Sequence, residues 1–204
     1  MNYYGLSNPT DIKNPKNCYL DLIEDYKNAS NDFFNRDTRP KLKGIFIYID
    51  SNIVEGINER YLHTVSIKEN EYHMNPCLNE ESSIHCVTKC EIENSPKCFQ
   101  SINRSFCYYR MRRSKWISEI IKLANEDNEH IKMWTKSYKD KTNGRKRFKR
   151  FVWYKNGLAS YLIIFEEKYK DGKLNILDFR TAYPVFLRHA EKDLEKDYLK
   201  YKNR

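Results

Sequence analysis

The sequence predicts an α+β fold: N-terminal helices packed on an antiparallel sheet of about four strands, ending in a C-terminal helix. Three observations predict it. Asn156-Gly157 and Asp171-Gly172 join three β-branched and aromatic runs, 147–154, 159–167 and 173–182, and both dipeptides signal hairpins because their residues tolerate positive φ. Residues 114–126 put Ile117, Ile120, Ile121 and Ala124 on one apolar face at a helical period. Beyond Pro184, which ends strand pairing by removing a donor, "HAEKDLEKDYLKY" is a charged helical run. Such a sheet keeps one face against helices and one available.

Earlier elements complete this layout. Leu20, Ile23, Tyr26 and, less regularly, Phe33 recur at helical spacing, so 19–34 is an amphipathic helix that stops at "NRDTRP". "LKGIFIYID", 42–50, is a strand, and "ERYLHTVSI", 59–67, is a second strand or a short turn into one. Residues 68–106 are polar, hold four of the six cysteines, and form a loop-rich insertion in a single domain spanning 1–204. Ser114 is placed to cap the 114–126 helix, and Ile131 and Trp134 continue a second, shorter helix beyond Asp127 and Asn128.

The formal net charge is +9, and its placement matters more than its size. Residues 132–155 hold ten Lys or Arg against one acid, Asp140, so this window carries +9 and the rest of the chain sums to zero. A single basic stripe on a balanced chain points to a polyanion, bound through its phosphates with salt-dependent affinity. The plain alternative is a solvated cationic hairpin. The 16 Tyr and 10 Phe predict an aromatic-rich core.

No run approaches the ~20 apolar residues of a membrane span, and the first residues lack the order of a secretory signal. The expected compartment is the cytoplasm, with delivery into a target cell as a toxin left open. The chain has no Gly-rich phosphate loop, no Gly-x-Ser-x-Gly elbow and no His-Glu-x-x-His, which argues against nucleotide hydrolases, serine hydrolases and zincins. His73, Cys77, His85, Cys86, Cys90 and Cys98 are enough ligands for zinc, but the paired Cys-x2-Cys knuckles of a strong site are missing. Free or partly buried thiols rank first, ahead of zinc or disulfides, and no cofactor is expected.

"ERYLHTVS", then "YYRMRRSKWISEII", "HIKMWTKSY", an Arg-rich strand, "YLIIFEE" and finally "DFRTAYPV" ahead of "LEKDYLKY" follow one another in the chain. In this order they make the chain resemble the phage-type branch of the barnase, EndoU, colicin and RelE-like (BECR) nuclease superfamily. The similarity covers 42–67 and 106–202, and the cysteine-bearing stretch between is a departure. The resemblance implies a BECR-like arrangement and metal-independent endoribonuclease activity of a toxin-like or phage-associated kind. It also implies RNA as substrate and an acidic antitoxin or immunity protein as a partner to look for, with no membrane.

Cutting RNA without a metal requires the 2'-OH to lose a proton as it attacks phosphorus, the leaving 5'-oxygen to gain one, and the phosphorane charge to be stabilised. The products carry 2',3'-cyclic phosphates and form in EDTA. His63 matches the family's histidine and is the candidate acid or base, since imidazole titrates near neutrality. The plain alternative is a structural histidine at a strand edge. His130 and His189 read as surface residues.

Arg110 aligns with the family's arginine ahead of Trp116, and its fork of donors suits two phosphate oxygens, although Arg112 and Arg113 leave the register open. Trp116 reads as core. Arg147 and Arg150 are three apart on a strand and point to opposite faces, so only one faces the scissile phosphate, and Arg147 is the choice. Thr181 and Tyr183 share a face by the same alternation, and can hold a phosphate oxygen and a ribose or base. The alternative is a strand exit with Tyr183 in the core. Arg112, Arg113, Arg145, Lys146, Lys149 and Arg150 are the expected RNA-binding residues. Two competing readings are a non-catalytic RNA-binding module and an interaction protein of a mobile element meeting an acidic partner.

Overall fold

The computed structural model describes residues 3–11, 13, 18–68 and 103–202, the side chain of Cys18 excepted. In chain order it runs α1 (Cys18–Ala29), a π-helical turn (Ser30–Phe34), β1 (Phe46–Tyr48), β2 (Ile53–Val54), β3 (Ile57–Asn58), α2 (Glu59–Val65), β4 (Ser66–Lys68) and β5 (Arg104–Phe106). There follow α3 (Tyr108–Met111), α4 (Trp116–Asn125), β6 (Ile131–Lys139), β7 (Lys146–Asn156), β8 (Ala159–Lys170), β9 (Lys173–Pro184) and α5 (Arg188–Tyr201). The α+β class and the C-terminal helix are as expected. The sheet has five strands rather than about four and is mixed: β6 to β9 form an antiparallel meander, and β1 joins parallel to β9 in the order β1-β9-β8-β7-β6. Of the 68–106 insertion, residues 69–102, with Cys77, Cys86, Cys90 and Cys98, lie outside the described residues, and its two ends pair as β4 and β5.

Two segments change type. Residues 59–65 are helix, not strand, because the Asn58 side chain caps the turn by accepting from the Arg60 and Tyr61 amides, while Tyr61, Leu62 and Val65 bury one helical face. Residues 131–139 are strand, not helix. Ile131 and Trp134 are an odd number apart and pack on opposite faces, both of them covered, so their spacing fits either period.

In α1 the buried face is Leu22 with Asp21, Asp25 and Ala29, while Leu20 is exposed. Two aspartates on the inner face hide it from a hydrophobicity reading. Asp25 is held by the Tyr61 hydroxyl at 2.6 Å and by Ser114 Oγ at 2.9 Å, so Ser114 serves this buried network rather than capping α4. Burial pushes the Asp25 carboxyl up to about 6.

The hairpins form where the turn residues direct, with one shift. Asp171 and Gly172 both take left-handed φ between paired Lys170 and Lys173. Asn156, however, still pairs with Ala159, so the other loop is Gly157-Leu158 with Gly157 at φ +55°, the glycine-first arrangement of a type II′ turn. Strand β9 also carries a bulge: Ile164 pairs with Thr181 but Phe165 pairs with Phe179, leaving Arg180 extra. Phe179 and Ala182, three apart, therefore both face the core.

That core lies on one sheet face, where Ile47, Val152, Tyr161, Ile163, Phe165 and Phe179 meet Trp116, Ile117, Ile120 and Ile121 of α4. Among the described residues the other face is covered at one end only. There α5 packs Leu194 and Tyr198 over Trp134, Trp153 and Leu162, and its Glu191, Glu195 and Asp197 pair with Lys155, Lys132 and Lys136. The opposite end of this face holds the polar cleft described next.

Candidate functional site

Strand alternation sends Arg147, Lys149, Glu166, Lys168 and Asp178 to the uncovered end of that face, and the β9 bulge adds Arg180 beside Thr181. They converge on one carboxylate. Glu166 is 3% exposed; Arg147 Nη1 donates to its Oε1 at 2.7 Å and Lys168 Nζ at 2.8 Å, and Arg180 donates to its Oε2 through Nε at 3.1 Å and through Nη2. Burial alone would raise the Glu166 pKa, but the bonds from Lys168, Arg180 and Arg147 outweigh it and hold the carboxyl at about 2.

Asp178 lies 3.5 Å from Arg180 and 3.8 Å from Lys168, and burial raises its pKa against their charges. Asp140, from the β6–β7 loop, reaches Arg147 Nε at 2.5 Å. Tyr138, Lys139, Asp140, Lys141, Arg147, Lys149, Glu166 and Arg180 line a solvent-open basin of about 530 Å³.

Of the five proposed catalytic residues only Arg147 lines this basin; Thr181 and Tyr183 follow Arg180 on β9, Arg110 is on α3 and His63 on α2. Arg147 sits in the Glu166 cluster; Arg150, on the opposite face, donates to Glu167 at 2.7 Å, which fixes which of the two arginines looks into the basin. Thr181 adjoins Arg180 on the same face, and its hydroxyl makes no hydrogen bond to another described residue. Tyr183, two residues on, lies under the Arg110 guanidinium at 5.5 Å, and Arg110 Nη1 also donates to the Ser66 carbonyl at 2.8 Å.

His63 is on α2, which packs along β9. At one end of α2, Arg60 lies close enough to Asp178 to lower its pKa; at the other end, the Ser66 carbonyl shares Arg110 with Tyr183. The charges that act on His63 are those of Glu59, Arg60, Lys68 and Arg104. Its imidazole is 3.7 Å from Glu59, and among the described residues no hydrogen bond, ion pair or ring contact joins it to the other four. Burial, and then the charges of Arg104 and Arg60, hold it down at about 4, so it is neutral at pH 7.

The expected RNA-binding residues divide as well. Arg145, Lys146 and Lys149 stand at the β6–β7 tip with no ion pair to a described residue; Lys149 covers the Tyr138 ring at 4.6 Å, and Lys146 the Phe148 ring at 5.3 Å. The others are engaged inside the fold. Arg112 bonds the Thr10 carbonyl at 2.6 Å, Arg113 is 9% exposed and stacks 3.7 Å over Tyr109, and Arg150 is tied to Glu167. Their positive charge was legible in the sequence and their partners were not.

Sequence reasoning missed Glu166, Lys168, Asp178 and Arg180. The signal for Glu166 was present, since an acid alternating with apolar residues in "YLIIFEE" shares the face of Ile164 and Leu162. Arg180 gave none, because the bulge that turns it outward has no mark in the chain. The described residues hold no cluster of His, Cys, Asp and Glu arranged for a metal, and none of their helices is long and apolar enough to cross a membrane. No family model, no curated protein and no solved structure matches this chain.

Proposed function

We propose that the chain is a metal-independent endoribonuclease whose scissile phosphate sits in the Glu166 basin. One observation carries this reading: three cations on an open sheet face share one buried carboxylate, beside a threonine whose hydroxyl no described residue engages. A phosphodiester entering the basin competes with Glu166 for Arg147, Arg180 and Lys168, in fork and point-charge geometries suited to its oxygens. As those bonds turn to phosphate, burial dominates at Glu166 and its proton affinity rises.

The carboxylate then accepts the 2'-OH proton as that oxygen attacks phosphorus. The 2'-oxygen bond to phosphorus forms, the bond to the 5'-oxygen breaks, and the leaving oxygen takes a proton from His63, which has first gained one from solvent as the arriving negative charge raises its affinity. Arg147, Arg180, Lys168 and Thr181 hold the phosphorane oxygens.

RNA incubated with the chain in EDTA is expected to give fragments ending in 2',3'-cyclic phosphate. His63→Ala should lose roughly 100-fold or more in rate while still binding RNA. Full activity in that variant, or a strict need for magnesium, would overturn the reading. A second reading, RNA binding without cleavage, draws on the same basic tip, and intact RNA after incubation with a chain that binds it would select it.

A further inference from the structure

Strand β1 carries two aromatic side chains on the basin side of the sheet, one strand beyond β9. Ile47 and Ile49 face the core, so Phe46 and Tyr48 face the other way, onto the side of the sheet that holds Glu166. The register runs straight across: Tyr48 pairs with Asp178, Asp178 with Glu166, and Glu166 with Lys149. Tyr48 is 44% exposed and makes no ring contact or hydrogen bond with another described residue, whereas most tyrosines in this fold are packed or bonded. Phe46 lies beside it with the Arg36 guanidinium 5.9 Å from its ring centre.

We propose that Tyr48 is a stacking shelf for a nucleobase of a single-stranded nucleic acid whose phosphate occupies the Glu166 basin. The proposal rests on the basin being the phosphate site. β1 is two strand spacings from β8, about 10 Å, which places the shelf one nucleotide away from the cations rather than on a separate surface. An aromatic edge beside a cationic groove is the combination that single strands require, since the groove tracks the backbone and the ring takes the base. Stacking accepts any base, so the shelf strengthens binding and sets the path of the strand without reading sequence. Arg36, above Phe46, is placed to meet the next phosphate along that path.

The test uses a 2'-O-methyl RNA hexamer, which binds without being cut, and a series of the same hexamer with one abasic position each. Tyr48→Ala should weaken the intact hexamer roughly 5- to 150-fold, the equivalent of about 1–3 kcal/mol per stacked base, while Tyr48→Phe stays near wild type. For one abasic position, and only one, Tyr48→Ala should cost nothing further.

Equal affinity of wild type and Tyr48→Ala, or an equal loss at every abasic position, overturns the shelf. Arg147→Ala separates the two readings. If it abolishes hexamer binding while Tyr48→Ala does not weaken it, the basin stands and the shelf falls. If wild type does not bind the hexamer, both fall.

Discussion

Glu166 and Glu167 are neighbours in one strand, and both are nearly inaccessible, yet they face different surroundings. Glu167 faces the core side and is satisfied locally, by Arg150 at 2.7 Å, the Thr135 hydroxyl at 2.7 Å and the Tyr169 hydroxyl at 2.6 Å. One charge answers one charge, and hydroxyls fill the rest. Glu166 faces the basin and is met by Arg147, Lys168 and Arg180, which also reach Asp140 and Asp178, and the basin's surplus of positive charge comes from Lys139, Lys141 and Lys149 around them. Glu167 sits in a closed local set of partners, whereas Glu166 belongs to a shared network of three cations and three carboxylates at the rim of an open basin.

The largest expected effect would break this contrast most directly. Glu166→Gln is expected to reduce RNA cleavage by roughly 100-fold or more with a retained fold, and Glu167→Gln to leave the rate per folded molecule near wild type. Comparable losses in both variants, measured on a 5'-labelled oligonucleotide, would erase the distinction. Arg150→Ala should lower unfolding free energy by about 3 kcal/mol, because it strands a buried charge, whereas Arg147→Ala should cost less, since two cations remain on Glu166. Urea midpoints of the two variants decide this.

A smaller effect comes from pH. His63 is depressed to about 4, so the unfolded chain takes up its proton first, and the stability this represents is complete above pH 6.5 and lost as pH falls through 4. Asp25, raised to about 6, acts the other way, adding stability as pH falls from 6 towards 3.8. Asp25→Asn should therefore steepen acid destabilisation between pH 6 and 4, and His63→Gln should flatten it, both read from urea midpoints. The smallest effect separates the two ends of the basic stripe. Lys146→Ala should reduce the slope of log affinity for single-stranded RNA against log salt by about 0.7, while Lys136→Ala, whose charge Asp197 already answers, should change it less.

The sequence was informative wherever one local period governs. The meander, its glycine turns, the helical face of Ile117, Ile120 and Ile121, and the shared orientation of Thr181 and Tyr183 follow from alternation or 3.6-residue spacing alone. It misled where a polar group replaced an apolar one on a buried face, as Asp21 and Asp25 do in α1, or where a side-chain cap chose helix over strand, as Asn58 does before His63. The partners of the basic residues were beyond it. Nothing in 132–155 says that acids near the C-terminus take Lys132, Lys136 and Lys155, or that Arg147 shares a carboxylate with Arg180.

The unpaired residue in β9 makes the length of this strand as informative as its composition. Removing Arg180 by a one-codon deletion would restore strict pairing with β8 without rotating either side of the strand. Phe179 and Ala182 would keep the core face and Thr181 and Tyr183 the other, and what the chain would lose is the bulge and the cation it carries to Glu166. The extra position in β9 therefore supplies a cation to the basin and leaves the orientation of its neighbours to ordinary alternation.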